Sequence, residues 1–272
     1  MAATALAVVS LAGCGDGDGA RPEATPSTTE ATASPDPGPE PLRIVLVNDD
    51  GIDSPALDMT LDALSAEPGV EVTVVVPIED QSGTGDTRTS GEIRFERSTT
   101  PDGTEGWAVD GYPADAVTVA LDELDLDPHL VVSGINLGQN VGSLTEISGT
   151  VGAGRVAVGR GVPALAVSAG LDFDEKQFSF AAGLAVDWVR EHRDALVSGT
   201  FPTDTVASVN VPACPVEEMG ELLTTELAEE IPEGVNPFES SCDLAGPRPT
   251  DDVAAVAVGY PSITEVPTDL GT

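Results

Sequence analysis

The stretch Leu42–Gly51, LRIVLVNDDG, decides the fold. Its apolar run stops abruptly at Asn48, Asp49, Asp50 and Gly51. A short apolar run bounded by turn residues predicts a strand buried on both faces, as in a parallel sheet. The residues that follow read as a helix: Ser54 in a capping position, Pro55 in the first turn, and Leu57, Leu61 and Leu64 on one face. Asp49 and Asp50 are therefore expected in the crevice at the carboxyl end of a first strand, where open α/β sheets bind ligands. Two adjacent carboxylates there repel each other unless a cation or a shared proton relieves them. The bland alternative is a solvated acidic turn.

Outward from that stretch, strand and helix patterns alternate. Val70–Pro77 (VEVTVVVP) reads as a second parallel strand, followed by a loop, Ile78–Gly91, dense in Gly, Ser, Thr and Asp. Glu92–Val109 reads as irregular or hairpin structure, with Phe95 and Trp107 as core pieces. A turn at Asp110–Pro113 leads into a helix carrying Val117, Leu121 and Leu124. His129–Ser133 is a short buried strand, then a Gly/Asn-rich loop runs to Ile147. Ser148-Gly149-Thr150 opens a small-residue helix, and Pro163–Ser168 is a further strand. This order predicts an α/β fold: a Rossmann-like, doubly wound, mostly parallel sheet with a smaller C-terminal extension. In that extension Phe178–Leu196 reads as a helix, with Trp188 in the core and His192 near its end as a solvated or helix-terminal histidine. Thr205–Val211 and Val253–Val258 read as strands, and the Glu- and Pro-rich segment between them as a cover for an edge or an entrance.

The chain has 272 residues, of which 40% are hydrophobic, enough for a sizeable core. Asp and Glu number 47 against 11 Lys and Arg, a formal charge of −36. Such a field repels nucleic-acid backbones and anionic lipid surfaces, which excludes nonspecific nucleic-acid binding, and it attracts cations. Residues 2–12 are apolar and small, too short a stretch to span a bilayer. They run into Leu11-Ala12-Gly13-Cys14, which resembles the lipobox of bacterial lipoproteins. The expected layout is a signal peptide over residues 1–13, a lipid anchor at Cys14 and a disordered tether over 14–41. A catalytic core then spans 42–170, and a C-terminal helix-and-strand part for oligomerisation spans 171–272. The protein is accordingly expected outside the cytoplasm, anchored to the bacterial cell membrane. Cys214 and Cys242 then form an even pair in an exported chain and are expected to be disulfide-bonded. A zinc site is not expected, since His129 and His192 have no paired spacing to the cysteines.

Three loops leaving successive strand ends carry hard oxygen donors: Asp49 and Asp50 on the first, Ser82 on the second, Asn136 on the third. Carboxylate, hydroxyl and amide oxygens suit Mg²⁺, Mn²⁺ or Ca²⁺. Ser148-Gly149-Thr150 at a helix start offers hydroxyls and backbone N–H groups as a seat for phosphate, and Asn140 adds a neutral donor. Taken singly, Ser148 reads as a plain N-cap and Ser82 as an ordinary turn residue. Their convergence on one predicted crevice favours a site.

These residues lie in stretches that resemble the SurE family, the survival-protein-E group of metal-dependent 5′-nucleotidases. They are LVNDDGIDSPAL (Leu46–Leu57), VVPIEDQSGTG (Val75–Gly85), VDGYPADAVTVAL (Val109–Leu121), VVSGINLGQNVG (Val131–Gly142), SGTVGAGRVAVGRGVPALAVS (Ser148–Ser168) and TDDVAAVAVGYPSIT (Thr250–Thr264). The resemblance implies hydrolysis of nucleoside 5′-monophosphates to nucleoside and phosphate. It implies a divalent metal, Mg or Mn, on Asp49, Asp50, Ser82 and Asn136, with Asp49 and Asp50 also catalytic. Phosphate is implied at Asn140, Ser148, Gly149 and Thr150, and a homodimer or homotetramer as the assembly. Two departures stand out: Arg155-Val156-Ala157 replaces a usual acidic residue and glycine, and Ser143-Leu144-Thr145-Glu146 replaces a segment often acidic and aromatic. Two other readings are compatible with the sequence: a broader phosphatase acting on polyphosphate or sugar phosphates, and a non-catalytic lipoprotein that binds a phosphorylated ligand.

Overall fold

A computed structural model describes residues 40–172 and 174–268. The expected signal peptide, Cys14 and nearly all of the expected tether lie outside the described residues. The described chain forms one nine-stranded sheet with helices on both faces. Strand β1 is Leu42–Val47, helix α1 is Pro55–Ser65 and β2 is Val70–Pro77. Glu92–Val109 resolves as a hairpin of β3 (Arg94–Thr99) and β4 (Glu105–Asp110). Helix α2 (Pro113–Thr118) continues into a wider turn over Val119–Glu123, then comes β5 (Leu130–Leu137). Helix α3 (Gly149–Gly159), β6 (Ala164–Ala169), α4 (Glu175–Val197) and β7 (Thr205–Asn210) follow. The chain ends in β8 (Leu223–Thr225), α5 (Asp252–Val258) and β9 (Ser262–Pro267).

The sheet order is β3-β4-β2-β1-β5-β6-β7-β9-β8. From β4 through β7 every pair is parallel, and β3 and β9 are antiparallel to their inner neighbours. Winding starts at β1, runs outward through β2 and β4, then restarts at β5 on the other side. The order reverses between β1 and β5, where successive crossovers go to opposite faces and leave a crevice. Alternation along β1 shows why its run is apolar throughout. Ile44 and Leu46 join the core under α1 and α4, whereas Val45 and Val47 join the core under α2 and α3. Each fully buried Leu or Ile contributes roughly 1.5–3 kcal/mol.

Four expectations need correction. Val253–Val258 is helical, not extended. Asp251 caps it by accepting from the Ala254 N–H at 2.8 Å, and Gly259 ends it in the left-handed region. These end signals outweigh the β-branched valines, and the last strand falls later, at β9. The strand expected to end at Ser133 extends to Leu137, with a register shift against β6 between Ser133 and Asn136. Phe95 and Trp107 flank the core as a half-buried edge-to-face pair at 5.7 Å, with Arg97 over the indole. His192 lies near the end of α4 but is half-buried rather than solvated, its ring against Trp188 at 4.6 Å and Phe201 at 5.2 Å. The Cys214–Cys242 disulfide is formed, and it closes the irregular segment between β7 and α5.

Candidate functional site

The register Val47↔Ser133 sets the ends of β1 and β5 side by side, so the residues just past them meet. Gly134 permits the bend that presents Asn136. Its φ is +125°, and a Cβ there would lie 2.2 Å from the Val167 carbonyl oxygen. Asn136 is buried. Its Nδ2 donates to the Gly138 carbonyl at 2.7 Å, but among the described residues its Oδ1 has no hydrogen-bond partner. An acceptor oxygen buried without a donor costs stability unless something electropositive meets it.

Asp49 is 2% exposed and is held from the start of α3. The Thr150 hydroxyl donates to Asp49 Oδ1 at 2.8 Å, and the Thr150 N–H donates to Oδ2 at 3.2 Å. This approach requires Gly149, since a Cβ there would sit 2.8 Å from the Asp49 Cβ. Asp50 accepts a single bond, from the Leu137 N–H at 3.3 Å. Burial pushes the Asp49 carboxyl up to about 6 despite the Thr150 bonds. Burial, then the neighbouring Asp49 charge, pushes Asp50 up to about 7. Asp80 acts on both in the same direction. Two adjacent carboxylates thus share a poorly solvated corner, with the exposed Asp80 adding negative field from outside, an arrangement that favours a cation.

The phosphate-side residues fall around the same corner. Ser148 caps α3, its Oγ accepting from the Val151 N–H at 3.1 Å, which leaves the hydroxyl proton to donate. Gly149 and Thr150 occupy the first turn, where backbone N–H groups and the helix dipole favour anions. Asn140 donates through Nδ2 to Ser168 Oγ at 2.9 Å and more weakly to Thr150 Oγ1 at 3.4 Å. Its backbone is clamped by Asn210, which accepts from the Asn140 N–H at 2.7 Å and donates to its carbonyl at 3.1 Å. Asn140 therefore positions Thr150 as well as facing the site. Ser82 is exposed, and its N–H bonds the Asp80 carboxylate at 2.7 Å. A cavity of about 200 Å³ is lined by Asp49, Ser82, Asn136, Asn140 and Ser148 together. Asp50 sits beside it, bonded to the residue after Asn136.

A family model described as survival protein SurE matches residues 44–233. A 5′-nucleotidase SurE of Prochlorococcus marinus (strain NATL1A) is 35% identical over 254 residues, covering 85% of this chain and 95% of the relative. One from Synechococcus sp. (strain CC9902) is 38% identical over 257 residues, covering 85% and 92%. The crystal structure of SurE protein from Aquifex aeolicus superposes with a TM-score of 0.67 at 30% identity, covering 85% of this chain and 95% of that one.

The chain belongs to the SurE family. Its crevice also holds residues that pattern reading of this SurE chain passed over. Asp80 stands two residues before Ser82, and its acidic character is visible in DQSGTG. Gln139 is fully buried, donating to the Val211 carbonyl at 3.0 Å while its Oε1 has no partner among the described residues. Ser168 and Asn210 brace Asn140 from two other strands. Leu171 and Phe238 complete the cavity wall from distant segments, and no local signal pointed to them.

Proposed function

We propose that this SurE-family chain is a divalent-metal-dependent phosphomonoesterase that hydrolyses nucleoside 5′-monophosphates to nucleoside and phosphate. The carrying observation is the partnerless Asn136 Oδ1, buried beside Asp49 in one cavity under the start of α3. The donor set fits a hard cation. Among the described residues no three His, Cys, Asp or Glu side chains form a metal cluster. A site here therefore has two carboxylates, Asp49 and Asp50, and completes itself with the neutral oxygens of Ser82 and Asn136. Mg²⁺ or Mn²⁺, when bound there, supplies positive charge to phosphoryl oxygens and lowers the pKa of water.

The chain's own residues do the rest. Thr150 fixes Asp49 through both carboxylate oxygens, so Asp49 serves as a positioned ligand. Asp50 has one acceptor bond and is the freer base for the attacking water. The Ser148 hydroxyl, the first-turn N–H groups of α3 and Asn140 receive the phosphate and orient it for in-line displacement. Such a step rests on positioning and charge stabilisation rather than on covalent chemistry by the protein. We further propose an extracytoplasmic location, with an anchor at Cys14 and a homo-oligomeric assembly. The formed disulfide suits an oxidising compartment and supports the location.

The test is phosphate release from AMP by wild type, Ser148→Ala and Thr150→Ala. Both variants are expected to lose activity, on the order of 10²-fold for Thr150→Ala because Asp49 also loses its clamp. Binding of AMP without phosphate release over hours would instead support the non-catalytic phospholigand reading.

A further inference from the structure

A second, larger cavity, of about 600 Å³, adjoins the first. It lies between residues around the start of α4, among them Leu171, Asp172, Lys176 and Gln177, and the segment around Cys214 and Phe238 that the disulfide ties. Leu171 and Phe238 line both cavities and form the shared wall. Gly138 sits between Asn136 and Asn140, and a Cβ built on it would lie 3.3 Å from Leu171 Cδ1 and 3.4 Å from Phe238 Cε1. The aromatic ring therefore borders the two asparagines of the site. It is held there from both sides. The Cys214–Cys242 bond and the Ala213 N–H to Ser240 Oγ bond, at 3.0 Å, fix the segment beyond Phe238. Before it, Val235 packs with Val141, Val253 and Val256.

The charge of this cavity is lopsided. Among the described residues Asp172, Asp174, Glu217 and Glu239 line it against a single cation, Lys176, the only lysine of the sequence. An apolar and aromatic wall beside a carboxylate-rich rim suits a flat, uncharged, hydrogen-bonding group and repels an anionic one. We propose that this cavity receives the leaving group. Phe238 holds the nucleoside against the shared wall, and the acidic rim selects against substrates whose leaving group carries further phosphate, such as polyphosphate. This assignment rests on the phosphomonoesterase reading and deepens it, since it separates nucleotides from the broader phosphatase alternative. It also gives the disulfide a use, as the tie that keeps the aromatic wall in place.

The experiment compares kcat/KM for AMP, tripolyphosphate and glycerol 2-phosphate, the last with an uncharged leaving group that has no flat face to stack on Phe238. Phe238→Ala is expected to raise KM for AMP about tenfold more than it raises KM for glycerol 2-phosphate, a difference within the range of base–aromatic stacking. Phe238→Tyr is expected to restore the AMP KM. Asp172, Glu217 and Glu239 are all exposed, so the triple variant Asp172→Asn/Glu217→Gln/Glu239→Gln is expected to fold. It should raise kcat/KM for tripolyphosphate relative to AMP about tenfold, with the gain shrinking at high salt. Equal effects of Phe238→Ala on AMP and glycerol 2-phosphate, or an unchanged tripolyphosphate-to-AMP ratio in the triple variant, would overturn the assignment. A wild type that hydrolyses AMP under either outcome leaves the parent reading intact. A wild type that releases phosphate from none of the three sinks both.

Discussion

The turn after β1 and the start of α5 each bury an aspartate, and the two do different work. Asp252 is 1% exposed, and three backbone amides from three segments answer its carboxylate. Gly142 donates at 2.8 Å, Ala228 at 2.9 Å and Val253 at 2.9 Å. It ties α5 to the turn before Ser148 and to the segment after β8. Asp49 is equally buried but is met by one residue, Thr150, and faces a cavity. Asp50 has one donor. The difference teaches how to separate a structural carboxylate from a reactive one: saturation by backbone marks the first, unfilled acceptor capacity beside a cavity marks the second.

The contrast breaks first on activity. Asp49→Asn and Asp50→Asn are each expected to lower phosphate release from AMP on the order of 10³-fold, with melting temperatures of metal-free protein held or raised. Asp252→Ala should do the reverse. It leaves buried amides without an acceptor and is expected to cost about 2–4 kcal/mol, measured by denaturant unfolding, with activity following the folded fraction.

The pH dependence sharpens the same contrast. The Asp49 and Asp50 carboxyls ordinarily titrate at 3.8 but are pushed up to about 6 and about 7 in the fold. Between those values the folded chain holds protons that the unfolded chain has lost. Metal-free stability therefore falls as pH climbs from about 4 to 7. Burial raises Asp252 as well and adds in the same direction. A divalent ion needs the ionised carboxylates, so its stabilising effect should be larger at pH 8 than at pH 5. Calorimetric melting in EDTA and in Mg²⁺ at both pH values checks this, and a metal-induced shift independent of pH would contradict it. The smallest expected effect belongs to Asn136→Ala. It should weaken metal binding about 10- to 100-fold while costing about 1–2 kcal/mol, for the lost Nδ2 bond to the Gly138 carbonyl, since the oxygen it deletes has no partner among the described residues.

Much of the central crevice was legible because its cues are local. The apolar run of β1 ends in its acids, and Ser148 precedes a helix whose small residues let it approach. The reversal between β1 and β5 follows from the alternation of elements. The C-terminal part was less legible because its cues compete. DDVAAVAVG carries strand-forming valines and helix-end signals at once, and the ends decided it. Phe238 and Leu171 reach the crevice only through tertiary packing and a disulfide, which no periodicity encodes. The bracing of Asn140 by Ser168 and Asn210 spans up to 70 residues and was likewise beyond local reading.

The central claim is that the edge between β1 and β5 traps a divalent ion for phosphate chemistry. Calorimetric titration of chelated protein with Mn²⁺ tests it most directly, using wild type and Asp49→Asn/Asn136→Ala. Wild type is expected to bind one ion per chain and the double variant to lose that binding. Equal Mn²⁺ binding by both proteins, or none by a folded wild type, would contradict it.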